Sequence, residues 1–263
     1  MRPESRHFEA MGTSCSVFAA ERLDEAAAWV RRVAGLLTRF SADSEISLLN
    51  AHAGAWWPVS VETEAVLLAS LDAYEMSGGL VNAAVLPSML AIGYRRPLAE
   101  GPAVAVLDRA KPLPRLSDVL SIRRGRARVA AGAGIDLGGI AKGWMADRLC
   151  ERLGGPSLVN LGGDLYARGA WPVVFAGTTL LLRDQGAATS SIRRRRWGTV
   201  HHLIDPRTGL PADTGLAEVS VVAATGFEAE VVAKTALLLG RDAAPAYCPA
   251  NALAWWFSGR DDG

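Results

Sequence analysis

The glycine-rich run DLGGIAKGWMAD, residues 136–147, constrains this 263-residue chain more than any other segment. Gly138 and Gly139 let the backbone approach a neighbouring group closely, and the residues from Ile140 onward suit a helix. Free amides at the start of such a helix point back at the loop. An anion there would meet backbone donors, the positive helix end and Lys142 as a point charge. The run is neither GxxxxGK followed by Ser or Thr, nor GxGxxG. Two readings stay open: a phosphate-binding loop, or a tight structural turn feeding an amphipathic helix.

Around this run strands and helices mix without a regular βα period, which places the chain in the α+β class. Residues 15–19 are short and apolar and read as a strand. Ala27, Val30, Val33, Ala34 and Leu37 make a helical stripe within 24–40, with Asp24 and Glu25 at its favourable amino end. Ser44 is placed to cap a short turn, and a second helix over 62–77 stops at Gly78 and Gly79. Four prolines between 97 and 114 mark an inserted lobe or flexible rim, around 95–130, that gives way to a short strand at 126–130. Residues 219–223 read as a buried strand, and 228–239 as a helix closed by Gly240. The length fits one large domain, or two small ones poorly separated in sequence.

Composition removes several classes of function. With 28 basic and 27 acidic residues, nothing steers the chain toward nucleic acid. Cys15, Cys150 and Cys248 are scattered and odd in number, which suits apolar filler in a reduced protein. No run reaches the length of a membrane span, and MRPESRHFEAMG lacks the apolar stretch of a signal peptide, so the sequence predicts a cytoplasmic protein without an integral membrane segment. Only three of the basic residues are lysines, Lys111, Lys142 and Lys234, and two of them lie in segments singled out here.

Two further polar glycine segments follow the first. LVNLGGD, 158–164, has strand character to Leu161, after which Asn160 and Asp164 either contact a polar ligand or satisfy turn amides. HHLIDPRTG, 201–209, gathers half of the four histidines beside an Asp-Pro turn. His202 could move protons near neutral pH, Asp205 could orient it or a hydroxyl, and Arg207 could hold a phosphate oxygen. Further along, Glu230 and Lys234 stand four residues apart among Val231, Val232, Ala233, Ala236 and Leu237. Such a pair on an exposed helix contributes about 0.3 kcal/mol, but this apolar surround leaves little solvated face for it.

Taken in order, MGT at 11–13, SADSEISLLN at 41–50, SGGLVNAAVLPSMLAIGY at 77–94, DLGGIAKGWMAD, LVNLGGD, ATSS at 188–191 and HHLIDPRTG resemble the ApbE family of FAD:protein FMN transferases over nearly the whole chain. The resemblance implies a single FAD-binding transferase domain over 1–263, with a T-fold-related mixed α/β architecture of antiparallel sheet and packed helices. It implies that a Thr or Ser hydroxyl of a target protein attacks the FMN-side phosphorus of FAD and that AMP leaves. The matched motifs place FAD contacts at Met11, Gly12, Asn82, Gly138, Gly139, Lys142, Asp147, Asn160, Gly162, Gly163, Asp164, Thr189, Ser190, His202, Arg207 and Thr208. His202, Asp205, Glu230 and Lys234 stand as the catalytic candidates, and Ala141 (through its carbonyl) with Glu230 as ligands of a magnesium ion.

The chain departs from the family pattern at that metal. Counting back from Gly240, the family's aspartate falls on Glu230 and its threonine on Lys234, whose charge competes with a cation. The resemblance therefore leads to a second expectation: the Lys234 ammonium takes the cation's space and pairs with Glu230 and the FAD phosphates. Asn82 stands where the family has aspartate, and Arg193 to Arg196 replace a polar segment, either as a solvated hairpin edge anchored by Trp197 or as a contact for pyrophosphate or an acidic partner. A non-catalytic FAD binder and an FAD pyrophosphatase releasing FMN and AMP are the alternative functions.

Overall fold

One antiparallel sheet combines a strand that alternates, Thr13–Ala19 with Cys15, Val17 and Ala19 buried, with strands buried on both faces, such as Leu216–Ala223. The structure, a computed structural model, describes residues 3–108 and 110–259. The sheet contains β1 (Glu4–Ala10), β2 (Thr13–Ala19), β3 (Ser157–Leu161), β4 (Asp164–Phe175), β5 (Thr178–Ser191), β6 (Leu216–Ala223) and β7 (Ala254–Gly259), adjacent in that order. Along β4, Val173 and Phe175 are buried while Val174 between them is exposed. The inward face joins Leu158, Leu165, Leu182 and Val222 in one apolar cluster.

Two of the motifs are the turns of this sheet. Ala10 pairs with Thr13, so Met11 and Gly12 form a two-residue hairpin turn, with φ of 54° and 66°. Leu161 pairs with Asp164 around Gly162 and Gly163, at 74° and 104°. Both turns need positive φ at both central positions, the geometry that matches strand twist.

The longer helices are α1 (Leu23–Leu37), α2 (Val61–Met76), α3 (Ala141–Leu153) and α4 (Gly226–Asn251). Ser60 caps α2 by accepting from the Thr63 amide at 3.3 Å, and Gly154 closes α3 in the left-handed region. Thr225 and Glu228 form a reciprocal capping box at the start of α4. Gly240 ends the first helical segment of α4 as expected, but at φ 84° it is a kink: the chain resumes a helix to Asn251, a segment that the sequence reading did not assign. Ser44 does cap a helix, Glu45–Ala51, through the Ser47 amide.

α3 and α4 pack on each other, α3 also along β3 and β4 and α4 along β6. Their closest approach is backbone on backbone. A Cβ on Gly143 would lie 2.3 Å from the Gly226 carbonyl oxygen, and one on Gly186 would lie 2.2 Å from the Gly226 amide nitrogen. Glycine at both places lets the first turn of α4 seat between α3 and β5, which sets where Glu230 stands one turn later.

Two compact units share the chain: one from residues up to Ala34, Ile140–Ser190 and Gly215 onward, the other from Gly35–Gly139 and Ser191–Thr214. The first holds the sheet with α3 and α4. The second holds α2, several short helices, a three-stranded sheet with Arg126–Val129 between Trp57–Pro58 and Leu120–Arg123, and two short ribbons, Arg196–Trp197 with Val200–His201 and Ile204–Asp205 with Leu210–Pro211. The proline-rich segment belongs to this second unit. It is tied to it by backbone bonds from Ala103 to Gly93, from Val106 to Ala91 and from Leu113 to Pro206.

Candidate functional site

A buried cluster of four charges occupies the first unit. Asp164 leads β4, Lys142 lies in the first turn of α3, and Glu230 and Lys234 lie on α4. Side-chain exposure is 3–4 % for the two carboxylates and 14–16 % for the two lysines. Lys142 Nζ forms an ion pair with Asp164 Oδ2, and it lies 3.7 Å from Glu230 Oε1. Lys234 Nζ stands 3.7 Å from the same oxygen. The other carboxylate oxygen, Oε2, accepts the Gly143 amide at 2.8 Å. Two positive and two negative groups plus one amide therefore balance in a dry setting, where each partner compensates the desolvation of the next.

This cluster decides whether the family's magnesium ion fits. A hard divalent cation needs several oxygen lone pairs at one point. Glu230 directs one oxygen at an amide and the other between two ammonium groups, and among the described residues no three His, Cys, Asp or Glu side chains converge to hold a metal. A divalent ion about 4 Å from the Lys234 ammonium would meet a repulsion of roughly 8 kcal/mol at an effective dielectric near 20. The residues present do not fit the ion.

Several expected FAD contacts have their side chains engaged inside the fold. Asn160 Oδ1 accepts the Gly163 amide at 2.9 Å, the turn role that its segment left open. Asn82 Oδ1 caps a short 3-10 helix through the Ala84 amide, and its Nδ2 donates to the Pro114 carbonyl. Thr189 Oγ1 bonds Ser220 Oγ at 2.9 Å, and Ser190 is buried. Asp147 accepts the Gly226 and Phe227 amides at 2.7 and 2.9 Å, capping α4 from α3. Gly138, which with Gly139 precedes α3, donates its amide to Asp136 Oδ1 at 2.7 Å. The Ala141 backbone begins α3, and its side chain is buried.

Burial pushes the Asp147 carboxyl up to about 7, against the pull of the Phe227 and Gly226 amides. A raised folded-state value means that the folded chain binds the extra proton. The resulting stability is complete below about pH 4 and is lost as pH rises through about 7. Asp147→Asn removes this titration. The stability of the natural chain relative to the variant is expected to fall by about 3 kcal/mol between about pH 5 and about pH 8. Paired thermal melts across that range check it, and parallel pH profiles would refute it.

In the second unit the HHLIDPRTG segment forms the ribbon Ile204–Asp205 with Leu210–Pro211. Asp205 takes Arg207 Nε at 2.9 Å on Oδ1 and Arg207 Nη2 at 2.8 Å on Oδ2, a two-pronged pair that raises the arginine's pKa further. Thr208 lies exposed in the same turn and donates to the Asp205 carbonyl oxygen, while Leu210 N donates to Thr208 Oγ1. His201 is buried against the Ala212 carbonyl oxygen at 3.0 Å, whereas His202 is half-buried.

The sequence reading missed one cluster in this unit. Arg39 Nε donates to Asp136 Oδ2 at 2.5 Å, and its guanidinium lies 4.2 Å from the Phe40 ring and 4.6 Å from the Tyr94 ring. Tyr94 in turn packs on Trp197 at 5.4 Å, and Trp197 donates its indole N–H to the Ile92 carbonyl oxygen. An arginine at the end of an apolar stripe, just before an aromatic, was the available signal; its partner lies 97 residues away. Arg193, Arg194 and Arg196, in the run that Trp197 anchors, are exposed.

The family described as ApbE family matches residues 11–256. An FAD:protein FMN transferase of Treponema pallidum is 30% identical to this chain, the match covering 91% of this chain and 80% of that protein. One of Haemophilus influenzae is 24% identical over 91% of this chain and 78% of that protein. Among solved structures, an ApbE protein of Thermotoga maritima superposes with a TM-score of 0.86 at 21% identity, covering 97% of this chain and 94% of that one. The apo form of the flavinyl transferase ApbE of Pseudomonas stutzeri gives 0.81 at 21% identity, covering 98% and 93%. The two structures share this antiparallel sheet and packed-helix fold.

Proposed function

The chain belongs to the ApbE family, and on that basis we propose that it transfers the FMN moiety of FAD to a Thr or Ser hydroxyl of an acceptor protein. The observation that carries this reading is the match to FAD:protein FMN transferases along nearly the full chain. In the reaction the acceptor oxygen bonds to the phosphorus on the riboflavin side of the diphosphate. The bond from that phosphorus to the bridging oxygen breaks, AMP leaves, and the hydroxyl proton passes to a base. The chain's part is to align these groups and to balance phosphate charge.

We assign the base to His202. Asp205, the other candidate, is held on both oxygens by Arg207, which suits it to positioning the segment. Lys142 and Lys234 are assigned to the phosphates, with the Gly138 and Gly139 backbone, which adjoins Lys142 in the sequence. Three buried thiols, pushed up to about 11 by desolvation, suit a reducing compartment and take no part in the chemistry. No helix of the described residues is long and apolar enough to cross a membrane.

With FAD and an acceptor peptide, AMP is expected only when the peptide is present. His202→Ala should lower that release about a hundredfold while changing FAD retention little. AMP and FMN formed without peptide would replace this reading with a pyrophosphatase, and FAD retained with neither product would replace it with a binding protein.

A further inference from the structure

We propose that the Lys234 ammonium is a built-in cation: it fills the position beside Glu230, excludes a divalent metal there, and with Lys142 supplies the positive charge that balances the diphosphate of FAD. This deepens the transfer reading and rests on it for the identity of the anion.

A lysine placed inside a protein sacrifices hydration and side-chain freedom, and a buried ion pair seldom recovers more than an apolar pair of similar volume would. One lysine, Lys142, already serves Asp164 and lies near Glu230. A second, Lys234, approaches the same Glu230 oxygen at the same 3.7 Å. Stability alone does not call for two ammonium groups on one oxygen, since like charges so near each other raise each other's energy. A site that must attract further negative charge does call for it.

The local geometry carries the argument further. Glu230 Oε2 is fixed by the Gly143 amide, and that amide is held in place because Gly143 packs backbone to backbone on the start of α4. The carboxylate therefore cannot swing to present both oxygens to a metal. Its remaining oxygen faces two ammonium groups, and the neighbour on the next helical position, Thr235, is buried with its hydroxyl donated to the Val231 carbonyl oxygen at 2.7 Å. Among the described contacts, Lys142 from α3, Asp164 from β4 and Glu230 with Lys234 from α4 meet at this point. An anion arriving here would draw the lysines partly from the carboxylates, and fixed ammonium groups aimed at transferring phosphates need no reorganisation during reaction.

The test uses the full chain and three variants: Lys234→Met, Lys234→Thr, and Glu230→Asp with Lys234→Thr. Mn2+ alone, without FAD, is titrated by electron paramagnetic resonance. The wild-type chain is expected to take up no tightly held Mn2+, whereas the double variant gains one site per chain. Acceptor-dependent AMP release by the wild-type chain should change less than about twofold between EDTA and added Mg2+. In Lys234→Thr it should fall about a hundredfold in EDTA and recover at least about tenfold with Mg2+, and in Lys234→Met the fall should persist with Mg2+. Wild-type chain binding Mn2+ as tightly as the double variant, or losing its activity in EDTA, overturns the proposal. Equal activity of Lys234→Met and wild type in EDTA overturns it too, because the lysine is then only structural. If no variant releases AMP in any condition, the transfer reading fails, and the Mn2+ titration still decides whether the ammonium excludes a metal.

Discussion

Glu230→Ala is expected to lower the melting temperature by about 10 °C or more and to abolish acceptor-dependent AMP release. The reason is the degree to which one carboxylate compensates its neighbours. Its loss takes a carboxylate from beside Lys142 and Lys234 and strands the Gly143 amide. Breaking a buried ion pair costs about 3–5 kcal/mol, and an orphaned buried amide about 1–3 kcal/mol more. At this chain length each kcal/mol is worth roughly 2–4 °C. Adding Lys234→Ala restores the charge balance, so the double variant should be more stable than Glu230→Ala alone. A double variant that melts lower than the single one would show that Lys234 contributes packing rather than charge.

Gly143→Ala is expected to reduce accumulation of the native fold sharply. The new methyl would meet the Gly226 carbonyl oxygen at 2.3 Å and the Phe227 amide nitrogen at 2.9 Å. Those are backbone atoms in a capped helix start, pinned by Asp147 and by Gly186 from the other side, so α4 as a whole would have to move. Overpacking that displaces backbone costs upward of about 3 kcal/mol. Gly35→Ala is the matched control. Gly35 lies in α1 with open space around its would-be Cβ, and alanine there should stabilise by about 1 kcal/mol. Soluble expression and circular dichroism of the two variants separate the cases, and a normally folded Gly143→Ala protein would contradict the described packing of α3 on α4.

What could be read in advance follows sequence distance. The α+β class, a helix beginning near Ile140 and the break at Gly240 were legible in local pattern, as was Ser44 as a cap, although it caps a helix where a short turn was expected. The turns at Met11–Gly12 and Gly162–Gly163 are equally local, though the sequence marked them as ligand contacts. The same locality does not separate two roles. An asparagine beside a glycine loop looks alike whether it meets a ligand or caps a turn, and Asn160 and Asn82 cap amides three and two residues away. The capping role of Asp147 had no local signature, since the amides it holds are 79 and 80 residues off. Arg39 and Asp136 had no local signature as a pair for the same reason. For Glu230 and Lys234 the helix spacing was legible, and the apolar surround foretold burial. That Lys142 would close the cluster from 88 positions away, and that a backbone amide would hold the second oxygen, depended on the packing of α3 against α4.

The central claim is tested most directly by the mass of an acceptor. Co-expression of this chain with candidate acceptor domains, followed by intact-mass and peptide mass spectrometry, should show one FMN joined through a phosphoester to a Thr or Ser, absent when His202→Ala replaces the natural chain. Acceptors that stay unmodified while purified chain converts FAD to FMN and AMP would contradict the account.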